Sequence, residues 1–292
     1  MNGREWAEQA REIESLGYDT LVMPDHLAFD PGGAGQFAPI PALMAAADAT
    51  TRLRVSAMVF ANDFRNPVLF AKEMTTIDAI SGGRLDVGLG AGWSEDDYAM
   101  LGLRLDEPRT RIARLEEAVT LMRRLFTEER VTYTGRHYQV RDAAVLPRPT
   151  QRPHPPILIG GRGPRMLALA GRHAEIVSIG QGQRPASGDF SGAALGSAVA
   201  IVKRAAGARP MPTIHIQCEI KVTDDAARAY EDRAKQAELP VEELRASVFH
   251  LYGGLEMIHE KLIELRDRYG VSYVRVVEDE MRTLAPLVAR MT

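Results

Sequence analysis

The sequence predicts an α/β protein built on a parallel sheet, of the (β/α)8 barrel type, and three observations predict it. Short apolar segments of strand character alternate with amphipathic helical segments along the whole chain, and parallel neighbours need crossover connections of that kind. Four of the strand segments run into polar or glycine-rich residues at their carboxyl ends, which is where a barrel carries its chemistry. With 292 residues, 45% of them hydrophobic, the chain is long enough for one large core, read as a single domain over residues 1–292.

In order, Trp6, Ala10, Ile13 and Gly17 recur at helical spacing and mark a first helix. Tyr18–Pro24 reads as a strand and leads into Asp25-His26; an alanine-rich helix follows from Pro41 to Thr50, then a strand over Leu53–Phe60. Asn66-Pro67 is an N-cap with proline at the first helical position, opening a helix that buries Phe70, Met74 and Ile77. Ser81-Gly82-Gly83 turns into the central strand Leu85–Gly90, and Gly90-Ala91-Gly92-Trp93 follows it. Ser94, with Asp97 three residues on, is a helix-capping pattern in which Asp replaces the usual Glu or Gln.

Ile112, Leu115, Val119, Met122 and Phe126 stripe the longest amphipathic helix, and Val131–Val140 reads as a hairpin turning at Thr134-Gly135. Strands follow at Ile157–Ile159, Ile176–Ile179, Ile214–Val222 and Tyr273–Val277, with a charged helical region over Asp224–Ser247 and helices over Leu255–Tyr269 and Glu280–Met291. Seven core strands result, and the first helix has no strand feeding it. The expectation is therefore a barrel lacking its first strand, with Tyr18–Pro24 and Tyr273–Val277 flanking the gap.

Composition narrows the function classes. A net charge of −3 gives no reason to expect a nucleic-acid or anionic-membrane partner. No apolar run approaches a membrane span, and the opening residues lack a signal-peptide core, so the expected protein is soluble and cytoplasmic. Cys218 is the only cysteine, which leaves no intramolecular disulfide, and the seven histidines show no metal-ligand spacing, so no metal is expected. Gly160-Gly161-Arg162-Gly163, directly after a strand and before a helix, places free backbone N–H groups at a positive helix end, a physical phosphate site.

Asp25-His26, Phe64-Arg65-Asn66-Pro67, Ser81-Gly82-Gly83-Arg84, Gly90-Ala91-Gly92-Trp93, the helix Arg111–Val119 and Ile159-Gly160-Gly161 stand in this order along the chain. In that order they resemble the bacterial luciferase-like monooxygenase superfamily, and more narrowly its actinobacterial branch using the deazaflavin coenzyme F420. FMN-using relatives share the barrel and several of these motifs, so FMN is the alternative cofactor. The resemblance implies an oxidoreductase acting on a small-molecule substrate, and allows a homodimer; a cofactor-binding relic without activity is the other alternative. It implies Asp25 and Ala91 near the cofactor ring, His26 as proton donor or acceptor, and a cis peptide at Met58–Val59. It puts the phosphate on Gly160, Gly161, Arg162 and Gly163, and Phe60 and Trp93 in the substrate pocket. A lone Trp at a strand end can equally be a plug in the core.

The chain also departs from the pattern. Deazaflavin-dependent sugar-phosphate dehydrogenases resembling it carry a glutamate where Trp93 stands, and a tryptophan in the region of Phe29 and Asp30, which implies a different substrate. His215, Gln217, Glu219 and Lys221 share one phase of the strand Ile214–Val222, and Tyr273 and Arg275 one phase of the last strand. Buried charges need partners, so a Glu219–Arg275 pair is expected.

Overall fold

The computed structural model describes residues 2–27, 36–180 and 190–291. Phe29 and Asp30, and most of the glycine-rich stretch before Gly192, lie outside them. The chain divides into two compact units, Met1–Gly160 and Gly161–Thr292.

In the first unit, Asn2 caps helix α1 (Gly3–Ser15), accepting from the backbone N–H of Arg4 and Glu5, while Glu5 returns a bond to the Asn2 N–H at 2.7 Å. The Trp6 indole N–H donates 2.8 Å to the Ala42 carbonyl, tying α1 to α2 (Pro39–Ala49). Strands β1 (Thr20–Met23) and β2 (Arg54–Ala57) pair in parallel. The cis peptide Met58–Val59 separates β2 from the short β3 (Phe60–Ala61). Asn66 caps α3 (Pro67–Ile80), accepting from the Val68 N–H at 2.9 Å, with Pro67 at the first helical position.

Strand β4 (Leu85–Gly90) is buried at every residue and pairs in parallel with β2, with β3 and with β7 (Ile157–Gly161). Two of its glycines are packing necessities: a Cβ on Gly88 would overlap the Ala57 carbonyl oxygen, and one on Gly90 would stand 2.5 Å from Val59 Cγ2. Between β4 and β7 come α4 (Glu95–Met100), α5 (Pro108–Thr127) and the antiparallel hairpin β5 (Val131–Thr134) and β6 (Gln139–Ala143). The excursion from the sheet is thus a hairpin, as its alternation predicts.

In the second unit, α6 (Pro164–His173), β8 (Ile176–Ile179), α7 (Gly192–Ala206) and β9 (Thr213–Gln217) follow in order. Beyond them lie β10 (Glu219–Val222), α8 (Ala226–Ala237), α9 (Val241–Ala246), β11 (His250–Gly253), α10 (Leu255–Tyr269), β12 (Val271–Arg275) and α11 (Met281–Met291). Strands β8, β9 and β12 form parallel ladders in that order.

Two expectations are corrected here. The segment Ile214–Val222 is two strands that part at Cys218: β9 pairs with β8 and β12, whereas β10 pairs in parallel with β11 in a separate two-stranded ladder. Strand β11 lies just past the charged helical region and is missing from the sequence reading, because His250–Gly253 is buried at all four residues and carries no alternation. The Glu219–Arg275 pair does not form either: Glu219 accepts from Arg233 at 2.9 Å and from the Tyr252 hydroxyl, while Arg275 donates to Gln217. Among the described residues the parallel strands are β1, β2, β4 and β7 in the first unit, with the two-residue β3 beside β4, and β8, β9 and β12 in the second, apart from the β10–β11 ladder. Among the described residues β1 and β12 each have one ladder partner.

Candidate active site

In the first unit, the carboxyl ends of β1 and β4 bring His26, Asp97 and Trp93 together. Pro24 and Asp25 carry the chain out of β1, and His26 lies beyond them, its side chain 17% exposed. Ser94 caps α4, its hydroxyl accepting from the Asp97 N–H at 3.2 Å, so Asp97 is held in the first turn of a six-residue helix. From there the Asp97 carboxylate turns away from the cap. Oδ2 lies 2.6 Å from His26 Nδ1, and Oδ1 accepts from the Leu27 N–H at 2.8 Å. Asp97 is 1% exposed, so this charge-assisted contact is shielded from solvent. A carboxylate only accepts, so Nδ1 carries the hydrogen of this contact.

Trp93 stands edge-on to the imidazole, with ring centroids 5.1 Å apart, and is 49% exposed. That exposure rules out a core plug: Trp93 stands at the surface beside His26. The loop beneath it is fastened from below. Arg111 of α5 donates to the carbonyls of Ala91 and Gly92, and the buried Tyr98 donates to Asp63 at 2.8 Å. Burial, then the bond to Asp63, holds the Tyr98 phenol above its ordinary range, which keeps it a donor. Gly92 has a φ of +73°, and a Cβ there would overlap the Tyr98 hydroxyl, so this position needs glycine.

Asp25 and His26 are neighbours with different tasks. Asp25 is buried and bidentate to Arg65, at 2.6 and 2.8 Å, and also accepts from the Ala61 N–H at 3.1 Å. The Arg65 guanidinium lies 5.0 Å from the Phe60 ring centre, and Phe60, 1% exposed, packs edge-on against Phe70. Asp25 and Phe60 are thereby joined through Arg65 into a buried cluster at the ends of β1 and β3. The Met58–Val59 peptide is cis, as the resemblance implies, and its Val59 side chain contacts the side-chain-free end of β4 at Gly90.

The glycine run after β7 is separate. Gly163 takes a φ of +82° and is the N-cap of the ten-residue helix α6, with no side chain capping it. A Cβ on Gly161 would stand 2.5 Å from Met166 Cγ. Arg162 is exposed. An uncapped helix start of this kind leaves N–H groups for an anion.

The sequence reading missed the role of Asp97, which it placed only as a cap, and gave Arg65 and Arg111 no task. The one available signal was that Asp97 is a short acid where a capping Glu belongs.

Residues 1–283 match the family model described as luciferase-like monooxygenase. The chain belongs to the luciferase-like monooxygenase family. This luciferase-like chain is 36% identical over 189 residues to the F420-dependent glucose-6-phosphate dehydrogenase of Intrasporangium calvum, a match covering 62% of the chain and 55% of that protein. It is 32% identical over 226 residues to the enzyme of the same name from Beutenbergia cavernae, covering 75% of the chain and 64% of that protein. The chain thus spans little more than half the length of the first of these relatives.

Among solved structures, monooxygenase RslO1 from Streptomyces bottropensis superposes with a TM-score of 0.80 at 24% identity, covering 99% of this chain and 94% of that one. An F420-dependent secondary alcohol dehydrogenase, in complex with an F420–acetone adduct, superposes at 0.82 with 16% identity, covering 100% and 96%. Both likenesses establish the fold of this luciferase-like protein. No helix among the described residues is long and apolar enough to cross a membrane.

Proposed function

We propose that this protein is an oxidoreductase that uses coenzyme F420 to move a hydride to or from a small organic substrate, with FMN as the alternative cofactor. The observation that carries the reading is the His26–Asp97 contact of 2.6 Å beside the half-exposed Trp93. It occurs in a chain whose matched relatives are named as F420-dependent dehydrogenases.

Each unit, taken by itself, offers a feature that suits part of such a cofactor. The end of β4 and the loop after it, Gly88 to Gly92, offer backbone almost free of side chains, closely apposed to Val59. The uncapped start of α6, in the stretch Gly160, Gly161, Arg162 and Gly163, offers backbone N–H groups suited to a phosphate. Ala91, Met58 and Val59 would lie against the ring system. Asp25 would act through Arg65, keeping the strand ends in place. When bound, the deazaflavin supplies the hydride-exchanging carbon, and the protein supplies position and protons.

His26 handles the proton. Asp97 holds its Nδ1–H and orients the ring, and in this reading the imidazole gives or accepts a proton as the substrate changes oxidation state. Trp93 stands as an apolar neighbour of the same imidazole, where an acidic side chain would compete for the same proton. The substrate is accordingly a small alcohol or electrophile that meets an aromatic wall rather than a carboxylate.

The test is a pair of titrations of the purified chain, one with F420 and one with FMN, followed by absorption and fluorescence. Saturable binding of F420, and bleaching of its oxidised band by a secondary alcohol in the presence of the protein, support the reading. Binding of FMN alone, with oxygen consumption on reduction, would move the protein to the monooxygenase alternative. Binding of either cofactor without turnover across alcohols and carbonyl compounds would mark a relic.

A further inference from the structure

One phase of three neighbouring strands in the second unit is polar. Ser178 of β8, His215 of β9 and Tyr273 of β12 are register partners, so their side chains leave one face of the sheet side by side. Gln217 and Arg275, also register partners, stand two residues further along on the same face. The opposite phase, with Ile214 and Ile216 at 1% and 0% exposure, is ordinary core.

Two of these polar groups have unmet demands. His215 is fully buried; its Nδ1 lies 2.8 Å from Ser178 Oγ, and its ring meets Tyr273 edge-on at 4.7 Å. Its Nε2 is buried with no hydrogen-bond partner among the described residues. Burial, with the Arg275 charge second, pushes the imidazole down to about 3, so it is a neutral ring with one polar atom unsatisfied.

Arg275 is the other. A guanidinium carries five N–H donors, and among the described residues Arg275 places one, from Nη1 to Gln217 Oε1 at 2.9 Å. Arg84 shows how a structural arginine is satisfied here: it donates to the carbonyls of Ser81, Leu53 and Ala47 and to the Thr50 hydroxyl. Arg54, Arg65 and Arg114 each face a carboxylate. Arg275 has neither kind of saturation. Glu219, which the sequence suggested as its partner, is instead occupied by Arg233 and Tyr252. Burial holds the Arg275 guanidinium below its ordinary range.

We propose that this face binds the oxyanion of a small molecule, a carboxylate or a phosphate, on Arg275, with His215 Nε2 hydrogen-bonding to the same molecule. Arg275 suits this task because its planar donor fork matches two oxygens of either group, and Gln217 holds the fork in place. His215, kept neutral, adds a polar contact without a second charge. The site is independent of the cofactor reading.

The test uses the full chain, titrated at constant ionic strength with inorganic phosphate and, separately, with acetate. Thermal unfolding and the His215 side-chain 1H–15N resonances are followed. The wild type is expected to gain melting temperature saturably and to shift His215 with at least one of the anions; the anion that acts distinguishes a phosphoryl from a carboxyl ligand. Arg275→Met removes a desolvated charge, so it is expected to melt at or above the wild type without anion, and to need at least about tenfold more anion for the same shift.

Gln217→Ala, at an exposed position, is expected to weaken anion binding without lowering the melting temperature. Gly161→Leu, which alters the start of α6, is expected to leave the His215 response intact. A His215 resonance unmoved by both anions overturns the site. So does Arg275→Met melting below the wild type with its anion response unchanged, because Arg275 is then a structural residue and the anion binds elsewhere.

Discussion

The Asp97 carboxylate binds two consecutive residues of the segment after β1: Oδ2 meets His26 Nδ1 at 2.6 Å and Oδ1 accepts from the Leu27 N–H at 2.8 Å. One side chain therefore sets both the backbone path and the imidazole orientation at the candidate active site. Asp97→Asn keeps the size but can present an amide N–H to Nδ1, which favours the wrong tautomer. Its turnover is expected to fall by about 100-fold or more, with cofactor affinity nearly unchanged. His26→Ala is expected to do the same. Steady-state kinetics beside a direct cofactor titration checks both, and unaltered turnover in His26→Ala would make His26 a loop residue.

The Asp25–Arg65 pair should behave as a structural element. Both carboxylate oxygens are bonded to the guanidinium, with side chains 7% and 21% exposed. Asp25→Ala leaves Arg65 without its counter-ion and is expected to cost about 3–5 kcal/mol in denaturant unfolding. The double variant Asp25→Ala/Arg65→Met is expected to lose less than the two single losses added together. Strict additivity would show that the pair is not coupled.

At the start of α6, Gly161→Leu drives a side chain toward Met166, a flexible neighbour that can move. Folding is expected to suffer modestly, while cofactor affinity drops by about tenfold or more as the backbone N–H groups at the phosphate site are obstructed. Fluorescence titration beside thermal melting separates the two effects, and equal cofactor affinity in the variant removes the phosphate from this turn. Gly88→Ala is the contrasting case. Its Cβ meets the rigid Ala57 carbonyl, so a loss of about 3 kcal/mol or more is expected.

Acid should weaken the protein in two stages. Burial pushes His215 down to about 3, so between the ordinary histidine value of 6.5 and that point the unfolded chain takes up a proton that the folded chain refuses. Stability is therefore lost as pH falls from 6.5. Glu14 adds to this lower down: although burial opposes it, the backbone N–H groups of Arg52, Leu53 and Thr51 bring its carboxyl from 4.5 to about 2. The stability it contributes is present above pH 4.5 and is lost as pH falls through about 2. Glu14→Gln should flatten the lower part of the stability–pH curve and leave the upper part alone. Urea unfolding at stepped pH values checks both, and an unchanged lower slope in Glu14→Gln would discount the Glu14 contribution.

Local pattern alone determined the alternation of helices and strands, the Asn66-Pro67 helix start, the hairpin after α5 and the central strand Leu85–Gly90. Each of these is set by neighbours within a turn or two, through side-chain period, capping and φ preference. Partnerships across the chain were decided by tertiary structure. The alternation of Ile214–Val222 runs unbroken through Cys218, yet the chain changes ladder there, because a period of two records which face a residue occupies and not which strand lies beside it. Ser94 and Asp97 were legible as a cap, and the Ser94 half of that reading holds. The Asp97 carboxylate instead reaches a histidine 71 positions away. Capping is a contact between near neighbours in sequence, whereas that bond exists only once β1 and β4 lie in one sheet with their carboxyl ends together.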